Sequence, residues 1–289
     1  MTNPKPSAGS MSFRYRLPRH PLLGRYVSQI WHIVQDGAEV VGMNPKMIPD
    51  GLYHMVINMG SAHTYIDGIG RRWSPKVSHV NAKHNDYVSI ERSGEVDLLG
   101  VVFHPWGLFP FLCDSMDGVP GAIWNMEDLL GSRINELEER LSETRDSDGK
   151  LHILEELLLE WAKRADEPRL DILHAAEWIR KSGGTLQLGE VRDRVNLSER
   201  TLERHFKQYT GQSPKSFSDI QRMQNALRLM NRYPDKLVNH AMLAGYYDQA
   251  HFNRTFAKLV GTTPTKYLSE KNLLSDLYKS GDGTQGKME

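Results

Sequence analysis
The chain has 289 residues, room for about two domains, and its 39% hydrophobic and 25% charged content excludes a fibrous repeat or wholesale disorder. A single cysteine, Cys113, excludes an intramolecular disulfide and any multi-cysteine zinc site, and fits a reducing cytosol. The formal charge of zero argues against a general polyanion binder only on average: residues 1–168 hold 17 Lys and Arg against 23 Asp and Glu (−6), and residues 169–289 hold 19 against 13 (+6).

Residues 1–12 are polar, lack the apolar core of an export signal and are expected to form a disordered tail. From Phe13 to about Phe103 short β-branched and aromatic runs dominate: 26–34, 54–58, 62–66 and 96–103. Turn signals at Asp36-Gly37, 49–51, Asp67-Gly68 and Ser93-Gly94 separate them, which predicts an antiparallel barrel or sandwich. After Pro105 the period becomes helical. Leu129, Ile134, Leu137 and Leu141 mark one helix, and Leu151, Leu154, Leu158 and Trp161 a second, with a polar loop at 143–149 between them. The second helix is expected to pack on its own domain. The most hydrophobic stretch, 98–113, is too short and too interrupted by Pro105 and Pro110 to span a bilayer, so no membrane partner and a cytoplasmic location are expected. Pro168 ends this half. The chain therefore divides into a β-rich regulatory or sensor domain at 13–168, an all-α domain at 169–275 and a flexible tail at 276–289.

The α domain repeats itself at an interval of 50 residues. Leu202-Glu-Arg204-His-Phe206 returns as Phe252-Asn-Arg254-Thr-Phe256, Gly211-Gln-Ser213-Pro214 as Gly261-Thr-Thr263-Pro264, and Phe217 as Tyr267. Ser198 and Asp248 are N-caps, and the glycines stop the helices as left-handed C′ residues. Ser213-Pro214 and Thr263-Pro264 start the next helices with a cap and a first-turn proline. Shorter helical runs at 188–191 and 237–241 precede each copy. A helix, a tight turn and a second helix with a basic outer face make the helix-turn-helix pattern. The copies are joined by 214–233, whose Phe217, Ile220, Met223, Leu227 and Met230 form one stripe. Such a helix is about 30 Å long, close to the ~34 Å between successive major-groove faces of B-DNA.

The segment 237–268, above all Ala241-Met-Leu-Ala-Gly245-Tyr-Tyr-Asp248-Gln249-Ala-His251-Phe252-Asn-Arg254-Thr-Phe256 with its closing Gly261-Thr-Thr-Pro264, resembles the signature of AraC/XylS-type transcription regulators. Leu197 to Phe206 with Gly211 to Pro214 resembles the family's first unit. The resemblance covers about 169–274 and implies a sequence-specific DNA-binding domain acting at bacterial promoters. By matching position it implies base contacts from Arg200, Glu203 and Arg204 in the first unit, and from Gln249, Ala250, Asn253 and Arg254 in the second. The chemistry suits the roles: Arg reads guanine, Gln and Asn read adenine, and Glu accepts from cytosine. For Arg204 and Arg254 a phosphate contact or an intradomain ion pair are the alternatives. Ser198, Lys207, Lys215, Lys258 and Lys266 are the expected phosphate contacts. Two positions depart from the family pattern: Arg192 replaces a small residue and His240 an aliphatic one, so the leading helices are expected to be looser or these side chains to snorkel outward. The N-terminal half resembles more weakly the small β-rich domain fused to some of these regulators, on Pro49-Asp50-Gly51, Val101-Val-Phe103-His-Pro105 and the Leu/Trp-rich helix at 151–161. In the wider family such a domain senses a small molecule or mediates dimerisation.

Other chemistry is thinly signalled. His54, His63, His79, His84 and His104 lie in the β-rich part, which keeps a metal-dependent β-barrel enzyme as the alternative, although no His-x-His with a downstream Glu occurs. There is no Gly-rich phosphate loop and no serine nucleophile elbow. Trp31, Tyr53, Tyr65, Trp73 and Trp106 would form ordinary core or line a ligand cavity. Cys113 beside Phe111 and Leu112 is expected in the core. The sequence thus predicts an α+β two-domain regulator without cofactor or metal. Its partner is double-stranded operator DNA, with RNA polymerase, a small-molecule effector and a homodimer as further candidates. The opposite charges of the halves also predict mutual attraction when DNA is absent.

Overall fold
A computed structural model describes residues 11–35, 45–81, 86–92, 94–112, 115–117, 123–165, 169–234, 237–270 and 273. Cys113, His84 and the tail at 276–289 lie outside them. The chain runs β1 (Met11–Arg16), β2 (Val27–Gln35), β3 (Lys46–Met47), β4 (Tyr53–Asn58), β5 (His63–Asp67), β6 (Arg72–Trp73), β7 (Ser78–Asn81), β8 (Val88–Arg92) and β9 (Val96–Phe103). Then follow α1 (Phe109–Leu112), β10 (Ile123–Asn125), α2 (Met126–Leu130), α3 (Arg133–Glu143) and α4 (Ser147–Arg164). The C-terminal half is α5 (Leu170–Lys181), α6 (Leu188–Val195), α7 (Glu199–Thr210), α8 (Pro214–Arg232), α9 (Leu237–Leu243), α10 (Gln249–Val260) and α11 (Pro264–Glu270).

The strands make two antiparallel sheets, one ordered β1-β2-β9-β4-β7-β10 and one ordered β3-β8-β5-β6. They form an open pair, and no closed barrel exists among the described residues, which settles the barrel-or-sandwich alternative. Side-chain alternation assigns the two faces of the larger sheet. Ile30, Met55, Ile57, Leu99 and Val101 pack against Leu137, Leu141, Leu151, Leu154 and Leu158 of α3 and α4. Trp31, Ile33, Val56 and Leu98 face the other way. The helix α4 therefore packs on its own domain. Lys150 of α4 reaches Asp97 of β9 at 2.8 Å, and Asp97 also meets His32 at 2.7 Å.

Three local expectations need correction. The first strand starts at Met11, two residues inside the expected tail. The helix expected around Leu129–Leu141 is two, broken at Gly131 with φ +60°. The polar loop at 143–149 is shorter than its composition suggests, because Asp146 caps α4 by accepting from the Gly149 N–H at 2.7 Å and the helix begins at Ser147.

In the C-terminal half the repeat is structural. Ser198 and Asp248 cap α7 and α10, accepting from the N–H groups of Thr201 and His251 at 3.2 and 2.6 Å. Ser213 and Thr263 cap the helices that open on Pro214 and Pro264. Gly211 and Gly261 end α7 and α10 at φ +65° and +70°, which a side chain would resist. The whole predicted stripe of α8 is buried. The departures split. Arg192 turns outward to Asp193 at 2.7 Å, while His240 is fully buried.

Candidate DNA interface and domain junction
Each recognition helix turns an apolar stripe inward, Leu202 and Phe206 on α7 and Phe252, Phe256 and Leu259 on α10. The residues between those positions are therefore left on the outer surface. Arg200, Glu203 and Arg204 on α7, and Gln249, Ala250, Asn253 and Arg254 on α10, are all exposed. They lie in the N-terminal halves of their helices, close to the capped first turns. Gln249 Nε2 donates to Asn253 Oδ1 at 3.1 Å, which holds two amide side chains side by side. Arg204 leans on His205 at 3.3 Å rather than on a carboxylate. Of the lysines, Lys215 and Lys258 are exposed, Lys207 stands 3.8 Å from Glu203, and Lys266 3.5 Å from Glu270. Ser198 spends its hydroxyl on the cap.

The N-terminal domain docks at the opposite ends of these helices. Tyr53 Oη donates to the Thr210 carbonyl at 2.9 Å, and the Met116 N–H donates to the Gln208 carbonyl at 2.8 Å. Both are carbonyls of the last turn of α7, which have no partner within the helix. Lys46 Nζ donates to the Gly261 carbonyl at 2.9 Å. The loop at 49–51 lies along α8, where Gln221 and Gln224 donate to the carbonyls of Asp50 and Pro49, each at 2.8 Å. Phe109 packs against Tyr209 with ring centroids 4.4 Å apart. Main-chain carbonyls and packed rings join the halves, and the docking leaves the outer faces of α7 and α10 open.

Between the two sheets, and closed by α8 and α11, lies a cavity of about 540 Å³. Trp31, Ile33, Val56, Tyr65 and Leu98 supply its apolar wall from the N-terminal domain, and Leu227 and Tyr267 from the other. Lys46, Arg92 and Arg228 bring three cations to it. Among the described residues its one acid, Asp50, meets His54 at 2.8 Å. Burial raises the Asp50 carboxyl, but the charge and hydrogen bond of His54 outweigh it and leave Asp50 below its ordinary value. Burial alone would lower His54, and Asp50 reverses this, so the pair favours its charged form. Burial, with Arg92 nearby, lowers His63 to about 4, and burial with His63 lowers His79 to about 3. His79 hydrogen-bonds Tyr65 at 2.9 Å, and His104 stacks on Trp106. Of the aromatics that composition alone left undecided, Trp31 and Tyr65 line the cavity. Tyr53 is buried at the junction, Trp106 joins the core of the C-terminal half, and Trp73 packs beside Tyr65. The cavity's shape was not legible in the sequence, because its lining comes from eight strands and two helices far apart in the chain. Trp31 and Tyr65, two of the aromatics offered as cavity-lining, were its visible trace.

Residues 192–270 match a family model described as a helix-turn-helix domain, and residues 15–119 match a domain of unknown function (DUF6597). The transcriptional activator RhaS of Pectobacterium carotovorum subsp. carotovorum (strain PC1) is 33% identical over 76 residues, which is 26% of this chain and 27% of RhaS. The arabinose operon regulatory protein of Escherichia coli (strain K12) is 28% identical over 152 residues, 50% of this chain and 51% of that protein. The chain thus matches between about a quarter and a half of the length of these curated relatives. Among solved structures, an unsaturated fatty acid bound ToxT from Vibrio cholerae aligns with 95% of this chain and 99% of its own, at a TM-score of 0.45 and 12% identity. With its repeat, caps and outward arginines in place, residues 192–270 form a helix-turn-helix domain similar in sequence to part of the HTH-type transcriptional activator RhaS.

Proposed function
We propose that the protein is a sequence-specific transcription regulator that reads operator DNA with α7 and α10 and answers to a small molecule held in the junction cavity. The observation that carries this reading is the pair of outward faces at an interval of 50 residues, left open by a second domain that docks at the far ends of both helices. Arg200 and Arg204 would read guanine in one major groove and Arg254 in the next, with Gln249 and Asn253 on adenine, Glu203 on cytosine and Ala250 against a thymine methyl. Lys207, Lys215, Lys258, Lys266 and the first turn at Ser198 would take phosphates, which position the domain without reading sequence. The α8 helix of 19 residues spans about 28 Å, enough to hold the two units one helical turn of DNA apart.

The cavity suits a compact organic anion: an apolar body between Trp31 and Leu227, and an acidic group toward Arg92 and Arg228. Because Arg228 belongs to α8, such a ligand would touch both domains. The test is selection of bound genomic fragments by the purified full chain, repeated with a panel of organic acids. A recovered motif with two half-sites, whose occupancy changes with one acid in wild type and not in Arg228→Ala, supports the reading. Recovery of no motif would remove it. Control by dimerisation instead would leave occupancy unresponsive to every acid but dependent on protein concentration.

A further inference from the structure
The two recognition helices are held at repeat-equivalent positions by two tyrosines of the other domain. At the first, a Cβ on Gly211 would lie 2.6 Å from Tyr53 Oη, whose hydroxyl bonds the carbonyl of the preceding residue, Thr210. At the second, 50 residues on, a Cβ on Gly261 would lie 2.2 Å from Cε1 of Tyr87. There Lys46 Nζ bonds the Gly261 carbonyl and sits 4.6 Å from the centre of the Tyr87 ring. In each case the partner presses where only glycine fits, at the carbonyl-rich end of a helix, where the dipole favours a donor or a cation. Tyr53 stands in β4 of the larger sheet, whereas Lys46 and Tyr87 belong to, or immediately precede, β3 and β8 of the smaller one. Each sheet therefore holds one recognition helix.

Resting on the DNA reading above, we propose that Tyr53, Tyr87 and Lys46 are positioning residues that fix the distance and angle between α7 and α10, and so select the spacing between the two halves of the operator. All three lie at the C-terminal ends of α7 and α10, away from the residues proposed to read bases. One base pair of spacing moves a half-site by about 3.4 Å along the DNA and turns it by about a tenth of a circle. A rigid pair of units must pay for that displacement, and a loosened pair need not. The cavity lies between the same two sheets, so the spacing between the helices is the quantity that its contents would alter.

The test uses the full chain and a DNA library in which the two half-sites are fixed and the spacer varies by one or two base pairs either way. Wild type is expected to prefer one spacer, with a loss on the order of tenfold for each base pair added or removed, comparable to a mismatched pair. Tyr53→Phe keeps the ring and deletes the bond to α7, and Tyr87→Ala with Lys46→Met releases α10. Each should shrink that loss several-fold while leaving base preference within each half-site unchanged. A merely structural role would lower affinity for all spacers alike, so a wild-type spacer profile in both variants would overturn the inference and leave the DNA reading intact. A wild type that selects no half-site would overturn both.

Discussion
Substituting Gly51 tests whether the two domains are coupled through the loop along α8. Gly51 has φ +81°, and a Cβ there would stand 2.5 Å from Cε2 and 2.8 Å from Cδ2 of Phe217, a buried ring of α8. In Gly51→Ala the left-handed backbone costs roughly 1–2 kcal/mol, and overpacking against the ring roughly 1–3 kcal/mol more. The sum, about 2–5 kcal/mol, falls on the junction, because the loop and the ring belong to different domains. Urea unfolding followed by far-UV circular dichroism should show the wild type losing both halves together and the variant losing them in two steps. A cycle with Phe217→Leu separates the clash from the backbone term, and a coupling of about 1 kcal/mol or more is expected for touching residues. If Gly51→Ala unfolded at the wild-type midpoint in one step, the loop would not hold α8 and the argument for coupled domains would collapse.

Other consequences follow from single contacts. His54 is held above its ordinary value and stabilises the fold fully below about pH 6.5, losing this as pH rises through its folded value, whereas Asp50 is held below its own and contributes above about pH 4. Thermal midpoints from pH 5 to 9 should therefore fall on the alkaline side, and His54→Gln should flatten that limb; an unchanged slope would remove the pair from the account. His240→Leu should stabilise the second unit by about 1 kcal/mol, because it replaces a fully buried imidazole, whose desolvation costs more than one backbone hydrogen bond returns, with an aliphatic side chain. A loss of stability on urea unfolding would mean that the imidazole's hydrogen bond outweighs its desolvation. Ser198→Ala and Asp248→Ala should each cost about 0.5–2 kcal/mol and fray the first turn of a recognition helix, seen as faster amide exchange at Thr201 and His251.

The C-terminal domain was legible because its signals are local. Caps, stop glycines and first-turn prolines act within four residues, and the repeat gives each a second instance, so Ser198, Gly211 and Pro214 vouch for Asp248, Gly261 and Pro264. The β-rich half was legible only in its long apolar strands. The strands β3 and β6 have two residues each and β10 has three, too few for alternation to register, and their places depend on pairing with distant chain. The division of charge suggested a boundary near residue 168 but did not describe how the halves meet. The halves join through Tyr53, Gln221, Gln224 and Lys46 on main-chain carbonyls, a bond type that leaves no mark on composition. His240 marks the limit of reading by resemblance: a polar residue at an apolar position stayed inside, while Arg192, with a longer stem, reached water.

The central claim, that the outward faces of α7 and α10 read DNA bases, is tested most directly with Arg204→Ala and Arg254→Ala on the operator selected by wild type, measured across a salt series. If the arginines read bases, each variant loses about 1–3 kcal/mol of affinity and relaxes specificity at one base pair, in different half-sites, while the salt dependence set by the phosphate contacts persists. Unchanged affinity and specificity in both variants would contradict the claim.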